Sequence, residues 1–271
     1  MQLPTMKLPT VRLPTMWLPT MRLPTVLLPT VRLPTMRLPT IRGTIARRLL
    51  INFSADPAVV AALLPPPFRP HLVAGRAVIG LCLIRLAHAR PSFLPRWIGL
   101  GFENAAQRIA VDWNEGDEVR TGVYVLRRDT ESCLAFTLAQ HGADFHVRES
   151  PDGIAVSMWS DDGTVTLDLR TSRSAQFPAS SVFGDLDTAS AFFRQGNAGY
   201  SPTADPTRHQ GIALHCDAWR VEPVAVHAFK WSWLDDPKRF PTGAVRFDCA
   251  LIMRDVEHEW RPLPDVRCAA S

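Results

Sequence analysis

The chain has 271 residues, with 30 Lys+Arg against 26 Asp+Glu, a formal charge of +4, and 46% hydrophobic residues. Residues 1–35 hold Lys7, Arg12, Arg22 and Arg32 and no acid, so the rest balances at 26 of each sign; the basic surplus argues for neither a nucleic-acid nor a membrane partner. No apolar run reaches the eighteen or so residues of a membrane span, and no secretory apolar segment opens the chain.

The first 40 residues are eight copies of Met/Val-x-Leu-Pro-Thr. A proline every five residues forbids a regular helix, and each leucine before proline is pushed toward extended geometry. Residues 1–35 are expected to be a low-complexity tail, extended or disordered. Two coils of a pentapeptide solenoid are too few to bury a core. Residues 36–271 are expected to fold as one domain.

Within that domain strand-like segments dominate. Thr44–Phe53 and the nearly continuous apolar run Arg76–Leu86 read as strands, the second as a buried one. Arg108–Trp113 and Val119–Arg127 flank Asn114-Glu-Gly-Asp117, a hairpin signal. Turns at Pro151-Asp-Gly153 and Asp161-Asp-Gly163 separate three more strands in a meander. Late strands are expected at Ile212–Trp219, Val224–Trp233 and Ala244–Met253, roughly ten in all. Helices are few. Asp56-Pro57 starts one that Pro65-Pro-Pro67 stops, Asp129 starts a second that Gly142 closes, and a third runs over Asp185–Gln195 with Ala189, Phe192 and Phe193 on one face. The fold class expected is mainly β with a few short helices: a large antiparallel β-barrel or a folded-over sheet.

Five cysteines, an odd number with no C-x-x-C pair, suit reduced thiols in a cytoplasmic protein. His141, Asp144 and His146 share a glycine-containing loop, but no metal site and no cofactor are expected. Nucleophile elbows, phosphate loops and dinucleotide fingerprints are missing. Glu257-His258-Glu259 puts adjacent side chains on opposite strand faces, which suits an edge strand or lid better than a catalytic pair.

The blocks MRLPTIRGTIARRLLINFSADPAVVAALLPPPFRPHLV, CLIRL, ENAAQRIAVDW, GVYVLRRDT, SVFGDL, WRVEP and FDCALIMRDVEHEW resemble the YqjF-like proteins of domain-of-unknown-function family 2071, grouped by fold with acetoacetate decarboxylase. The resemblance covers Met36 to Cys268. It implies a conical β-barrel with a central cavity, in a family without an established activity, and a native start near Met36 that was copied upstream.

Decarboxylase chemistry needs a lysine amine for a Schiff base. Where the resemblance places that lysine, this chain reads His141-Gly-Ala-Asp-Phe145, and the domain holds only Lys230 and Lys238. Glu103 stands at about the place of the decarboxylase's active-site glutamate. Alternation puts Asn104 and Arg108 on one face of their strand, and Tyr124 and Arg128 together on one face of the next. Which face lines the cavity stays open at this point. If Arg108 and Tyr124 face inward, they form a pocket for a small carboxylate, which a guanidinium grips with two hydrogen bonds. The candidate ligand-binding residues are therefore Glu103, Asn104, Arg108, Tyr124 and Arg128, with Glu103 as the only candidate acid or base. The expected partner is a small, anionic organic molecule. A lyase or hydrolase using Glu103, and a structural or partner-binding module with a filled barrel, are the alternatives; the sequence does not set the oligomeric state.

Overall fold

The computed structural model describes residues 39–132, 140–174 and 176–268; the pentapeptide tract 1–35 lies outside them. The strands are β1 (Ile41–Ala55), β2 (Arg69–Pro70), β3 (Leu72–Val73), β4 (Arg76–Pro91), β5 (Leu100–Glu115), β6 (Glu118–Thr130) and β7 (Gln140–Glu149), followed by β8 (Gly153–Ser160), β9 (Thr166–Arg173), β10 (Ala198–Pro202), β11 (Arg208–Cys216), β12 (Glu222–Trp231) and β13 (Val245–Arg267). The helices are α1 (Pro57–Ala61) and α2 (Leu186–Gln195).

Strand pairing closes a ring. From β13 the order runs through β1, β4, β5, β6, β10 and β11 and returns to β13. A second branch leaves β6 through β7, β8, β9 and β12 and rejoins β13. The wall β13-β1-β4-β5-β6 therefore belongs to two closed circuits, and both its faces are covered. That is why β4 carries a nearly unbroken apolar run and why β1 is buried at every residue from Arg47 to Ala55 rather than at alternate ones. One face packs Leu49, Ile51 and Ile109 against Met158, Leu167 and Trp231 of the second branch. The other packs Leu50, Cys82 and Val256 against Ala189 and Phe193 of α2.

The mainly-β expectation holds, with three corrections. The sheet is not wholly antiparallel, because β6 pairs in parallel with both β10 and β7. Asp129 and Thr130 close β6 and Gln140 to Gly142 open β7, so the ends of the expected second helix are strand; its middle, 133–139, lies outside the described residues. Finally, Glu257–Trp260 sits not on an edge but inside β13, bonded to β1 on one side and β11 on the other.

The other two helices start where their caps predict. Asp56 accepts from the Ala58 N–H at 2.8 Å, with Pro57 at the first helical position, and Asp185 accepts from Thr188 at 2.7 Å. Among the described residues no helix is long and apolar enough to cross a membrane.

Candidate functional site

The site lies inside the seven-strand ring, on the face of the wall that α2 covers. Its floor is a grid of paired residues. One row holds Arg48, Ile84 and Asn104, the next Leu50, Cys82, Ala106 and Arg128, and the third Asn52, Gly80, Arg108 and Val125. The centre of this grid is small: Gly80, Cys82 and Ala106. Above it is a chamber, partly open to solvent, with a cavity volume of about 80 Å³, walled by Arg48, Arg108, Arg128, Phe193, Trp219 and Trp260 among others. Two smaller lobes of about 40 and 30 Å³ adjoin it, one shared through Arg108 and reaching His71, the other shared through Arg128 and reaching Asn104.

Each arginine is held in place, and none has a carboxylate partner among the described residues. Arg108 is buried and donates to Asn52 Oδ1 at 2.6 Å, its guanidinium 4.9 Å from the Phe193 ring centre. Asn52 presents that oxygen because its amide donates to the Leu50 and Cys249 carbonyls, both at 3.2 Å. Arg48 lies over the Trp219 ring at 5.6 Å and donates to Cys82 Sγ at 3.3 Å. Arg128, partly buried, reaches Ser201 Oγ at 3.4 Å. Burial pushes the Arg108 and Arg128 guanidiniums down to about 10, which leaves both charged at neutral pH. Arg48 Nη1, Arg108 Nε, Arg128 Nε and Asn104 Nδ2 are buried donors with no acceptor. Uncompensated buried charge costs several kcal/mol, so the arrangement is one that an anion relieves.

The sequence-derived candidates separate. Asn104, Arg108 and Arg128 share the chamber face. Glu103 does not: it points to the opposite face, where Arg47 grips both its oxygens at 2.8 Å and itself reaches Glu149 at 3.0 Å. Burial raises the Glu103 carboxyl above the usual range while Arg47 pulls it back. Tyr124 is also on that opposite face, packed on Phe68 and bonded to His209 Nδ1 at 3.2 Å, with burial pushing its hydroxyl up to about 12. The expectation that Tyr124 and Arg128 share a face fails because Gln107 pairs with Arg127 but Arg108 pairs with Val125. Leu126 is the extra residue, and this bulge reverses the alternation.

Sequence reasoning missed Arg48, Asn52 and the aromatic props Phe193 and Trp219, and it assigned His258 to an edge strand or lid. His258 is buried on the chamber side of β13, between Val256 and Trp260 and within the field of Arg48. Trp219 was expected at the end of a strand, but β11 stops at Cys216, and the loop beyond it is what carries the indole over Arg48. Among the described residues no cluster of His, Cys, Asp and Glu has the geometry to hold a metal.

A family model described as an uncharacterized conserved protein, DUF2071, matches residues 43–247. Among solved structures the chain is similar to an acetoacetate decarboxylase from Legionella pneumophila, with TM-score 0.51 and 9% identity over 83% of this chain and 87% of that one. It is similar to an acetoacetate decarboxylase-like enzyme from Sphingomonas wittichii, with TM-score 0.50 and 13% identity over 86% and 93%. It is also similar to the enduracididine biosynthesis enzyme MppR complexed with pyruvate, with TM-score 0.50 and 12% identity over 84% and 91%. At such identities the likeness is one of fold. No curated protein matches the chain.

Proposed function

The chain belongs to the DUF2071 family of uncharacterized conserved proteins, and from that premise we propose that its ring encloses a binding chamber for a small organic carboxylate. The observation that carries this reading is the convergence of Arg48, Arg108 and Arg128 on one partly open cavity, with buried N–H donors unpaired and no acid beside them among the described residues. A guanidinium fork matches a carboxylate's two oxygens, and the low dielectric of the chamber strengthens that contact. Apolar walls at Phe193, Ile212, Leu214 and Trp260 suit a short carbon skeleton.

Binding is favoured over the two catalytic alternatives for physical reasons. Lys230 and Lys238 are both exposed and neither lines the chamber, and an arginine is too basic to replace a Schiff-base amine. Glu103 is engaged with Arg47 on the far face of the wall, away from any ligand held by Arg108. The four thiols among the described residues are free, which supports a reducing compartment and with it the cytoplasm.

Thermal unfolding with a set of small carboxylates, pyruvate included, tests the reading. At a hundred times its Kd a ligand adds about 2.7 kcal/mol, a rise of roughly 5 to 10 °C for a domain of this size. Arg108→Met should abolish the rise while the protein still unfolds cooperatively. No shift with any carboxylate at millimolar concentration would refute the proposal.

A further inference from the structure

We infer that the occupant of the chamber is a dianion, a short dicarboxylate with one acid group at Arg108 and Asn52 and the other at Arg128 and Asn104, Arg48 standing one row beyond Arg128. This rests on the carboxylate reading and narrows it.

The first argument is charge. Three guanidiniums face the chamber, and no Asp or Glu among the described residues forms an ion pair with any of them. A monocarboxylate would leave two of the three positive charges uncompensated in a low-dielectric space, where like charges repel strongly. A dicarboxylate brings the balance to within one charge.

The second argument is placement. The arginines rise from three successive rows of the floor: Arg48 opposite Ile84, Arg128 opposite Ala106, Arg108 opposite Gly80. With two residues between rows, Arg108 and Arg128, the two proposed acid positions, stand one row or about 7 Å of strand apart on neighbouring strands, and Arg48 a further row on. Their heads are also tied to different walls: Arg108 to β1 through Asn52 and to α2 through Phe193, Arg48 to Trp219, and Arg128 to β10 through Ser201. Heads fixed in this way are not free to collapse onto one carboxylate. The Arg108 end and the Arg128 end open into different lobes, one reaching His71 and the other Asn104.

The third argument is the floor between them. A Cβ at Gly80 would stand 2.6 Å from the Ile51 carbonyl and 3.3 Å from Asn52 Oδ1, the atom that holds Arg108. Gly80 thus lets Asn52 come close enough to hold Arg108, while Cys82 and Ala106, which do line the chamber, are small and leave room for a short carbon chain with acids at its ends.

Calorimetry on the full chain with carbon-matched pairs tests the inference: propionate against malonate, butyrate against succinate, valerate against glutarate. Within each pair a terminal methyl becomes a carboxylate. At least one dicarboxylate should bind tenfold or more tightly than its monocarboxylate, and Arg128→Met should cut that ratio to threefold or less. Arg128→Gln serves the same purpose if the methionine variant does not fold. Ratios within twofold for all three pairs in the wild type would overturn the dianion while leaving the carboxylate chamber standing. A tenfold ratio unchanged in both variants would overturn the assignment of the second acid to Arg128. Absence of binding by all six would overturn the carboxylate reading and the dianion together.

Discussion

Arg47 and Arg48 are neighbours in β1, and Arg127 and Arg128 are neighbours in β6, yet within each pair the guanidiniums lie in opposite surroundings. On one face of the shared wall Arg47 is paired with Glu103 and Glu149, and Arg127 with Asp129 and Asp162. On the other face Arg48 and Arg128, joined by Arg108, have amide, hydroxyl, thiol and aromatic neighbours but no acid. The same residue type in the same two strands thus does two jobs. Where carboxylates come with the fold the arginine ties strands together; where they do not, the fold holds charge in readiness for one that arrives.

The comparison is broken most directly through stability. Removing Arg47 strands a buried Glu103, and breaking such a pair costs about 3 to 5 kcal/mol. Arg48→Met removes a buried charge that has no acid partner among the described residues, so the unliganded protein should be unchanged or gain about 1 kcal/mol. Urea denaturation of Arg47→Met and Arg48→Met should therefore give shifts of different size and, for Arg48, no loss. Equal destabilisation by both would show that the chamber arginines are as structural as the paired ones.

A second effect of similar kind, but smaller, belongs to His258 on the chamber face. Burial pushes its imidazole down to about 4, and the field of Arg48 pushes the same way, against Glu257. The unfolded chain takes up a proton at His258 near pH 6.5, the folded chain only near 4. Between those values the unfolded state binds more protons, so this residue's contribution to stability falls as the pH falls, by up to about 3 kcal/mol at the bottom of the window. His258→Gln should unfold with a shallower acid slope between pH 6.5 and 4. Identical slopes would remove His258 from the set of groups that sense the chamber's charge.

What the sequence made legible follows from how local each signal is. The caps of α1 and α2 and the β5–β6 turn are written within a few residues, and they stand where expected. Asn104 and Arg108 fall on one face because β5 alternates regularly across that stretch. Tyr124 was misplaced because the bulge at Leu126 depends on what β6 meets on both its sides, and no glycine marks it. Glu103 is instructive in another way: it is adjacent to Asn104, so alternation alone separates the two, while the family resemblance drew them into one site. Arg48 and Asn52 were hidden in a stretch of strand buried on both faces, where period two carries no contrast. The available signal was the doublet itself. Two consecutive arginines in a strand covered on both faces send one charge to each side, and Ala-Arg-Arg-Leu and Leu-Arg-Arg-Asp both do so.

The smallest expected effect isolates the chamber from the chain's other concentration of positive charge. Residues 1–35 hold four of the 30 Lys+Arg and no acid, and account for the whole formal surplus. Diffuse attraction by such a segment acts on any anion and is screened within about 8 Å at physiological ionic strength. Enclosed arginines are screened far less and distinguish one anion from another by shape. Deleting residues 1–35 should therefore change carboxylate affinity by less than twofold at 0.15 M salt and move the melting temperature by no more than about 1 °C. A tenfold loss of affinity on deletion would transfer the anion preference from the arginines of the ring to the pentapeptide tract. An unchanged affinity, beside its loss in Arg108→Met, assigns it to the face of the wall where arginine has no acid.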